Sequence, residues 1–333
     1  MDDPLRHHGD REVHGMLDFA VNVYDAPRPP WLDAALRASL DEIGTYPDPR
    51  DARATVAAHH GRAEGDVLIT AGAAEAFTLI AHLRRWRCPV VVHPQFTEPH
   101  AALKKTGHRV RPVVLAEPFT LDPGSVPTDA DLVMIGNPTN PTGVLHPAAS
   151  IRSLLRPGRV VVVDEAFMDC VPDETQTLSA SGDPGLVVVR SLTKHWGIPG
   201  IRAGYLLGEP ALVRELAREQ TPWSVGTTAA AALVACCSPE ATVEAARRTL
   251  QINGWRAHLE QGLASLDIPY YSSAASFVLA RPGAGVREGL RARGVAVRRA
   301  DTFPGLDEQW VRIAVRAPEP TDRLLALLAL GID

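Results

Sequence analysis

The sequence predicts an α/β protein with a large domain built on a mostly parallel sheet and a smaller α+β domain behind it. Through the first two thirds of the chain, short valine-rich apolar runs alternate with helical stretches, as in sheets that are buried on both faces. After that point, long helical stretches precede a few further strands, which fits a separate second domain. The 333 residues suffice for two such domains.

Three segments follow from this pattern. Residues 1–44 are predicted to form an N-terminal arm and one helix, Trp31 to Leu40, that pack with the small domain, because three prolines precede an amphipathic run. Residues 45–225 are predicted to form the large domain and residues 226–333 the small one. Strands of the large domain are expected at Val67 to Thr70, Val90 to His93, Val110 to Val114, Leu132 to Gly136, Val160 to Val163, Leu186 to Val189 and Ala203 to Leu207. Downstream we expect helices at Pro210 to Gln220 and Pro239 to Leu266, and strands at Ser276 to Ala280, Val295 to Arg298 and Val311 to Val315.

Composition limits the classes of function. A net charge of -5 without any basic run argues against a nucleic-acid partner. No stretch approaches the roughly 20 apolar residues of a membrane span, and Met1 to Arg11 lacks the apolar core of a secretory signal, so we expect a cytoplasmic protein. The four cysteines form no C-x-x-C pair, which predicts neither a disulfide framework nor a metal site.

Polar residues follow three predicted strands, at the edge where ligands of open α/β sheets bind. The run from Gly136 to Gly143 contains two Asn-Pro pairs, Asn137 and Asn140 being the asparagines, although an ordinary loop has the same composition. Asp164 leaves a strand that reads as buried and therefore needs a cationic partner, such as a pyridinium nitrogen. A helix cap or a structural ion pair is the alternative.

Lys194 lies between a buried strand and a turn rich in glycine and proline. Desolvation at such a place favours the neutral amine that imine formation requires, whereas a solvated loop lysine is the alternative. Ser191 and Arg202 supply a hydroxyl and a guanidinium suited to a phosphate. A strand also turns through Gly72 into a helix, whose free N–H groups attract anions, although helix starts of this kind are common.

Together these segments resemble the fold-type-I superfamily of pyridoxal-phosphate (PLP) dependent aminotransferases over nearly the whole chain. The resemblance implies that PLP is the cofactor and that Lys194 holds it as a Schiff base. It also implies that Asp164 pairs with the pyridine nitrogen and that Asn137 hydrogen-bonds the phenolic oxygen.

The same resemblance assigns further cofactor contacts. Phe96 takes the place of the aromatic residue that stacks on the ring. Tyr46 is similar to a tyrosine that reaches the phosphate in the other subunit, which implies a homodimer with shared active sites. The groups expected on the phosphate are Ser191, Arg202 and the backbone of Ala73 and Ala74.

Within this superfamily the chain resembles both histidinol-phosphate aminotransferases and the threonine-phosphate decarboxylases of cobalamin biosynthesis. Phe167 stands where the motif usually has tyrosine, and the segments His7 to Asp10 and Leu17 to Asn22 are similar to the start of the decarboxylases, although Tyr24-Asp25 departs from their pattern. The resemblance therefore favours decarboxylation of L-threonine O-3-phosphate to (R)-1-aminopropan-2-yl phosphate. Transamination of histidinol phosphate is the alternative.

A phosphorylated amino acid needs anion-binding side chains. Arg312 and Arg316, in the segment Trp310 to Arg316, resemble the region that holds the substrate carboxylate; we favour Arg312, and a surface ion pair is the alternative. His8 and Asn22 in the arm complete a candidate phosphate pocket with Arg312, although a histidine near a terminus is usually solvated. The bond held perpendicular to the cofactor ring breaks, so substrate orientation decides between loss of carbon dioxide and amino transfer.

Two other classes of function fit less well. A ligand-sensing regulator with this fold needs a fused DNA-binding module, for which 333 residues leave no room. A nicotinamide dehydrogenase is expected to carry G-x-G-x-x-G after an early strand, and the turn at Gly72 has only one glycine.

Overall fold

The computed structural model describes residues 3–7 and 9–331 and contains two sheets. The strands are β1 (Leu17–Phe19), β2 (Val67–Thr70), β3 (Pro89–His93), β4 (Arg111–Val114), β5 (Leu132–Gly136), β6 (Val160–Asp164), β7 (Leu186–Ser191), β8 (Gly204–Gly208), β9 (Tyr270–Tyr271), β10 (Phe277–Ala280), β11 (Val295–Arg299) and β12 (Val311–Ala314). The helices are α1 (Pro30–Ala38), α2 (Arg50–His59), α3 (Ala73–His82), α4 (Glu98–Lys105), α5 (Ala148–Arg152), α6 (Pro210–Glu219), α7 (Thr227–Cys236), α8 (Pro239–Ser265), α9 (Val286–Ala292) and α10 (Pro318–Ala329).

The large sheet has the strand order β2-β8-β7-β6-β5-β3-β4. All its neighbouring strands are parallel except β8, which runs antiparallel to both β2 and β7. Apolar clusters cover both of its faces, one of them including α2 and α7 and the other α3, α4 and α6. Burial on both faces explains the valine runs, because neither face can carry polar side chains.

The small sheet has the order β1-β11-β12-β10-β9 and is antiparallel except where β1 pairs with β11. Leu17 in the arm lies opposite Val295, so the arm contributes an edge strand to this sheet. Its core combines Phe19 with side chains of β10, β11, β12 and α8. Because α8 has 27 residues and is about 40 Å long, it reaches from this core to the edge of the large sheet.

Two helices lie on the other side of the expected domain boundaries. Leu32 of α1 is fully buried in the core of the large sheet, although residues 1–44 were expected to pack with the small domain. The helix α7 packs on α1 and α2, with Ala232 and Leu233 in the same core, although residues 226–333 were expected to form the small domain. The reason is that α7 is apolar on all sides and needs burial between other helices.

Within residues 3–7 and 9–331, no helix is long and apolar enough to span a membrane. The same part of the chain holds no group of three His, Cys, Asp or Glu side chains that could bind a metal ion.

Candidate active site

The carboxyl ends of β5, β6 and β7 lie side by side at one edge of the large sheet. They end at Gly136, Asp164 and Ser191 respectively. The register pairs Gly136 with Asp164, and Asp164 with Val189. The three predicted polar segments therefore meet at one edge, with Asp164 in the middle strand and Lys194 just beyond the next one.

Asp164 presents a carboxylate from the end of a buried strand. Burial raises its pKa to about 6, while a hydrogen bond from the Ala166 N–H and the charge of Lys194 act against this rise. That hydrogen bond, 3.1 Å long, ends on Oδ1. No other donor among the described residues bonds this carboxylate, so it is available to a cationic ring nitrogen.

Lys194 is half-buried in the turn after β7. Burial is the main cause of its pKa being lowered to about 8, and the guanidiniums of Arg312 and Arg202 act in the same direction. The Asp164 carboxylate opposes them. Within the part of the chain that the structure describes, no hydrogen bond forms at Nζ. A larger share of this amine is thus neutral near pH 8 than for an ordinary lysine, as imine formation requires.

A cradle for an anion lies beside this lysine, at the start of α3. Gly72 has φ +76°, and its helix begins at Ala73 without a side-chain cap. A Cβ on Gly72 would lie 2.7 Å from Nη2 of Arg202, so the guanidinium lies directly over the glycine. Gly204 is equally constrained, since its Cβ would lie 2.8 Å from the Gly72 Cα. The absence of both side chains leaves room for the guanidinium to approach the helix start.

Ser191 completes this cradle from the neighbouring strand. It pairs in register with Gly204, and its Oγ shares a 2.8 Å hydrogen bond with Oγ1 of Thr193. The segments that meet here carry the Ser191 hydroxyl, the Arg202 guanidinium and the N–H groups of Ala73 and Ala74. Such a donor set suits a phosphate dianion. The residues present therefore fit pyridoxal phosphate: the groups at the start of α3 would hold its phosphate, and Asp164 would pair with its ring nitrogen.

Asn137 does not have the surroundings expected of a cofactor contact. It is fully buried, its Oδ1 accepts from the His146 N–H at 2.8 Å, and its Nδ2 donates to the His146 carbonyl at 3.2 Å. These two hydrogen bonds close the loop, so Asn137 holds the loop backbone in this structure. Asn140, three residues later, accepts a 2.7 Å hydrogen bond from Nη1 of Arg312. Sequence reasoning missed Asn140, although it stands in the second Asn-Pro pair.

Arg312 and Arg316 also have different hydrogen-bond partners. Arg312 is buried, contacts Asn140 in the loop and donates to the Ala20 carbonyl in the arm at 2.5 Å. Arg316 instead donates to the arm carbonyls of Asp18, Val21 and Val23 at 2.8, 2.7 and 3.2 Å. Its guanidinium is committed to these backbone carbonyls, so Arg316 clamps the arm in this structure.

The arm segment that Arg316 holds carries Asn22. This side chain is only 4% exposed, and neither of its amide atoms has a hydrogen-bond partner among the described residues. Two residues on, the Tyr24 N–H donates to the Lys194 carbonyl at 2.9 Å. A buried, unpartnered amide so near Lys194 is expected to bind a ligand. His8, the other arm residue of the expected pocket, lies outside the described residues.

Arg298 is a second buried guanidinium that sequence reasoning missed. It is the register partner of Arg312 on the neighbouring strand, so both side chains leave the same face of the small sheet. Its Nη2 bonds the His7 carbonyl and Oγ1 of Thr302 at 2.8 and 2.7 Å. The sequence contains one indication of this residue, namely an arginine at the end of a short apolar strand.

Three aromatic residues surround these elements. Phe96 is half-buried against Phe77, with ring centroids 6.4 Å apart. Phe167 meets Phe277 edge to face at 4.9 Å. Tyr46 is 75% exposed and stacks on Trp223 at 4.4 Å, so the structure does not bury it in this chain's own site.

Comparison with known proteins identifies the family of this chain. Residues 14–328 match the model of the family "Aminotransferase class I and II". A histidinol-phosphate aminotransferase of Mycobacterium tuberculosis is 45% identical over 97% of this chain and 90% of its own length. A threonine-phosphate decarboxylase of Salmonella typhimurium is 30% identical over 94% of this chain and 90% of its own.

A solved structure shows the same fold. The histidinol-phosphate aminotransferase from Clostridium acetobutylicum superposes with a TM-score of 0.88 at 24% identity, covering 94% of this chain and 98% of its own. The fold-type-I architecture expected from the sequence is confirmed. The chain therefore belongs to the class I and II aminotransferase family, and its cofactor is pyridoxal phosphate.

Proposed function

We propose that this chain acts on a small phosphorylated amino compound and that Lys194 bonds the cofactor covalently. One observation carries the proposal: a lysine with a lowered pKa stands beside both the Asp164 carboxylate and the Gly72–Arg202 cradle. When bound, pyridoxal phosphate withdraws electrons from the α-carbon of an amine. Asp164 would keep a proton on the ring nitrogen, and the Lys194 amine would move the proton at the α-carbon.

The substrate's anionic groups have their own candidate residues. Arg312 and Arg298 leave the same face of the small sheet, and both are buried. Their two buried positive charges suit a compound that carries a phosphate or a carboxylate. Asn22 adds an amide that lacks a partner among the described residues. Substrate would therefore be held between the arm and β12.

Transamination of histidinol phosphate is the reaction that the comparisons favour. The relative with that printed name is 45% identical, whereas the decarboxylase from Salmonella typhimurium is 30% identical. This order reverses the preference derived from the sequence.

Decarboxylation of L-threonine O-3-phosphate remains the second candidate because of Phe167. Its ring packs on Phe277 and carries no hydroxyl that could bond the cofactor's phenolic oxygen. Arg312 contacts the Phe277 ring as well, at 5.5 Å, so Phe167 and the candidate carboxylate-binding group border the same apolar residue. A different orientation of the carboxylate there would expose a different bond to cleavage.

Two parallel assays separate these reactions. Holoenzyme is incubated with L-threonine O-3-phosphate while released carbon dioxide is measured, and with histidinol phosphate plus 2-oxoglutarate while glutamate is measured. Glutamate formation without carbon dioxide supports transamination. Carbon dioxide release without glutamate supports decarboxylation and refutes the first candidate. If the holoenzyme turns over neither compound, the proposed substrate class is wrong.

We further propose a homodimer in which each subunit supplies Tyr46 to the other's site. The support is a cluster of large apolar side chains that are more than half exposed, and Tyr46 stacks on one of them. They are Leu40, Ile43, Tyr46 and Trp223. Contiguous exposed apolar surface of this kind is typical of subunit interfaces.

Subunit mixing tests the sharing of sites. Inactive Lys194→Ala protein is exchanged with weakly active Tyr46→Ala protein, and activity is followed. With shared sites, each mixed dimer contains one site in which both residues are intact, so activity rises. If Tyr46 serves the site of its own subunit, no intact site forms and mixing restores nothing.

A further inference from the structure

Arg248 in the middle of α8 is a buried charge with an unusual set of partners. Its side chain is 0% exposed, so all its donors must be satisfied by the protein. Nε bonds Glu244 one helical turn away at 2.8 Å. The other two nitrogens leave the helix: Nη1 donates to the His195 carbonyl at 2.9 Å and Nη2 to the Pro27 carbonyl at 3.3 Å.

Two aromatic rings flank the same guanidinium. Its Cζ lies 4.3 Å from the ring centroid of Tyr24 and 5.0 Å from that of Trp196. Tyr24 belongs to the arm, and Trp196 follows Lys194 by two residues. The Tyr24 N–H in turn donates to the Lys194 carbonyl at 2.9 Å. One guanidinium therefore links α8, the arm that carries Asn22 and the turn that carries Lys194.

We propose that Arg248 is a positioning residue, which sets the backbone of the Lys194 turn and thereby the approach of the Lys194 amine to pyridoxal phosphate. This inference rests on the proposed role of Lys194. A purely stabilising helix anchor would need only the Glu244 contact and apolar packing. The two longer-range hydrogen bonds instead end on the residue after Lys194 and on the arm, and small displacements at such positions slow chemistry strongly.

The chain supplies a matched control in the neighbouring residue. Arg247 bonds the same Glu244 carboxylate through Nε and Nη2, both at 2.7 Å, and its side chain is 57% exposed. Arg247→Lys weakens the shared ion pair and changes no direct contact with Lys194 or His195. Its Nη1 also bonds Oε1 of Gln251, which accepts from the Tyr24 hydroxyl, so this control also covers the contribution of that side of Tyr24. Arg248→Lys keeps the positive charge but removes the planar fork that reaches both carbonyls.

The primary readout is the rate at which apoprotein acquires the absorbance band of the Lys194-bound cofactor, measured well below the unfolding temperature. We expect Arg248→Lys to slow this rate about tenfold or more, and to lower kcat far more than it changes KM. Arg247→Lys should match the wild type. A stabilising role alone would lower the unfolding temperature and leave the rate of the folded apoprotein unchanged.

Should Arg248→Lys not fold, Tyr24→Leu takes its place, because it removes one flanking ring and leaves every hydrogen bond of Arg248. We expect it to slow cofactor attachment by about threefold. If the folded variant that is measured attaches the cofactor at the wild-type rate, the proposed role of Arg248 is wrong. A wild-type protein that never develops the band would instead refute the proposed function, so the two failures are distinct.

Discussion

Asn137 and Asn140 stand three residues apart in one loop, and their alanine variants are expected to fail in different ways. Asn137→Ala removes both partners of the His146 backbone, which lies in a buried part of the loop. Each buried group left without a partner costs about 1–3 kcal/mol. We therefore expect the free energy of unfolding to fall by about 2–6 kcal/mol.

Asn140→Ala removes one hydrogen bond to Arg312, whereas the bond from Arg312 to the Ala20 carbonyl remains. The expected loss of stability is about 1.5–3 kcal/mol, because the lost hydrogen bond comes from a charged group. Activity should suffer more, because the change displaces Arg312, the residue proposed to bind the substrate anion. We expect kcat/KM to fall about 10- to 100-fold.

Urea denaturation followed by circular dichroism gives the two stabilities, and steady-state assays on folded protein give kcat/KM. For each variant, the loss in free energy of unfolding is compared with the loss in kcat/KM. Each variant thereby serves as the control of the other. If Asn137→Ala were as stable as the wild type but lacked activity, and Asn140→Ala behaved normally, the expected difference between a structural Asn137 and an Asn140 that positions Arg312 would be wrong.

Three further outcomes follow from the structure. The rate of cofactor attachment to apoprotein should rise with pH and level off above about 8, because Lys194 reacts as the neutral amine and its pKa is lowered to about 8; a flat profile contradicts this. Arg190→Met should lower the free energy of unfolding by about 3–5 kcal/mol, because it strips a fully buried carboxylate of its partner; Arg152→Met, at an exposed ion pair, should cost under about 1 kcal/mol in the same urea titration. Gly72→Ala should raise the Kd for pyridoxal phosphate about tenfold or more in equilibrium dialysis, whereas Gly226→Ala, which has open space around it, should not; equal Kd values contradict the cradle.

Strand positions were predictable because a strand that is buried on both faces consists of an uninterrupted run of apolar residues. The run Val160 to Val163 became β6 with one additional residue, and Val67 to Thr70 matched β2 at both ends. The polar residues after these strands were predictable for the same reason, since a carboxylate such as Asp164 stands out after four valines. Strand direction was not readable in this way, because periodicity is the same for parallel β7 and antiparallel β8.

The remaining differences depend on contacts between distant segments. Asn137 and Asn140 have the same local sequence, and only the His146 backbone and Arg312 distinguish them. Arg316 looked equivalent to Arg312 because both lie in one short segment, yet the arm carbonyls nearly 300 residues away occupy Arg316. Composition and spacing do not encode such long-range pairings.

The central claim, that Lys194 bonds the cofactor, has a direct chemical test. The chain contains only three lysines, and the other two, Lys104 and Lys105, lie on α4, where Lys104 pairs with Asp3. Purified holoenzyme is reduced with borohydride, digested, and searched by mass spectrometry for a pyridoxyl group. We expect the group on the peptide that contains Lys194, and neither the group nor the absorbance band in Lys194→Ala. A pyridoxyl group on Lys104 or Lys105 alone, or a band that persists in Lys194→Ala, would contradict the claim.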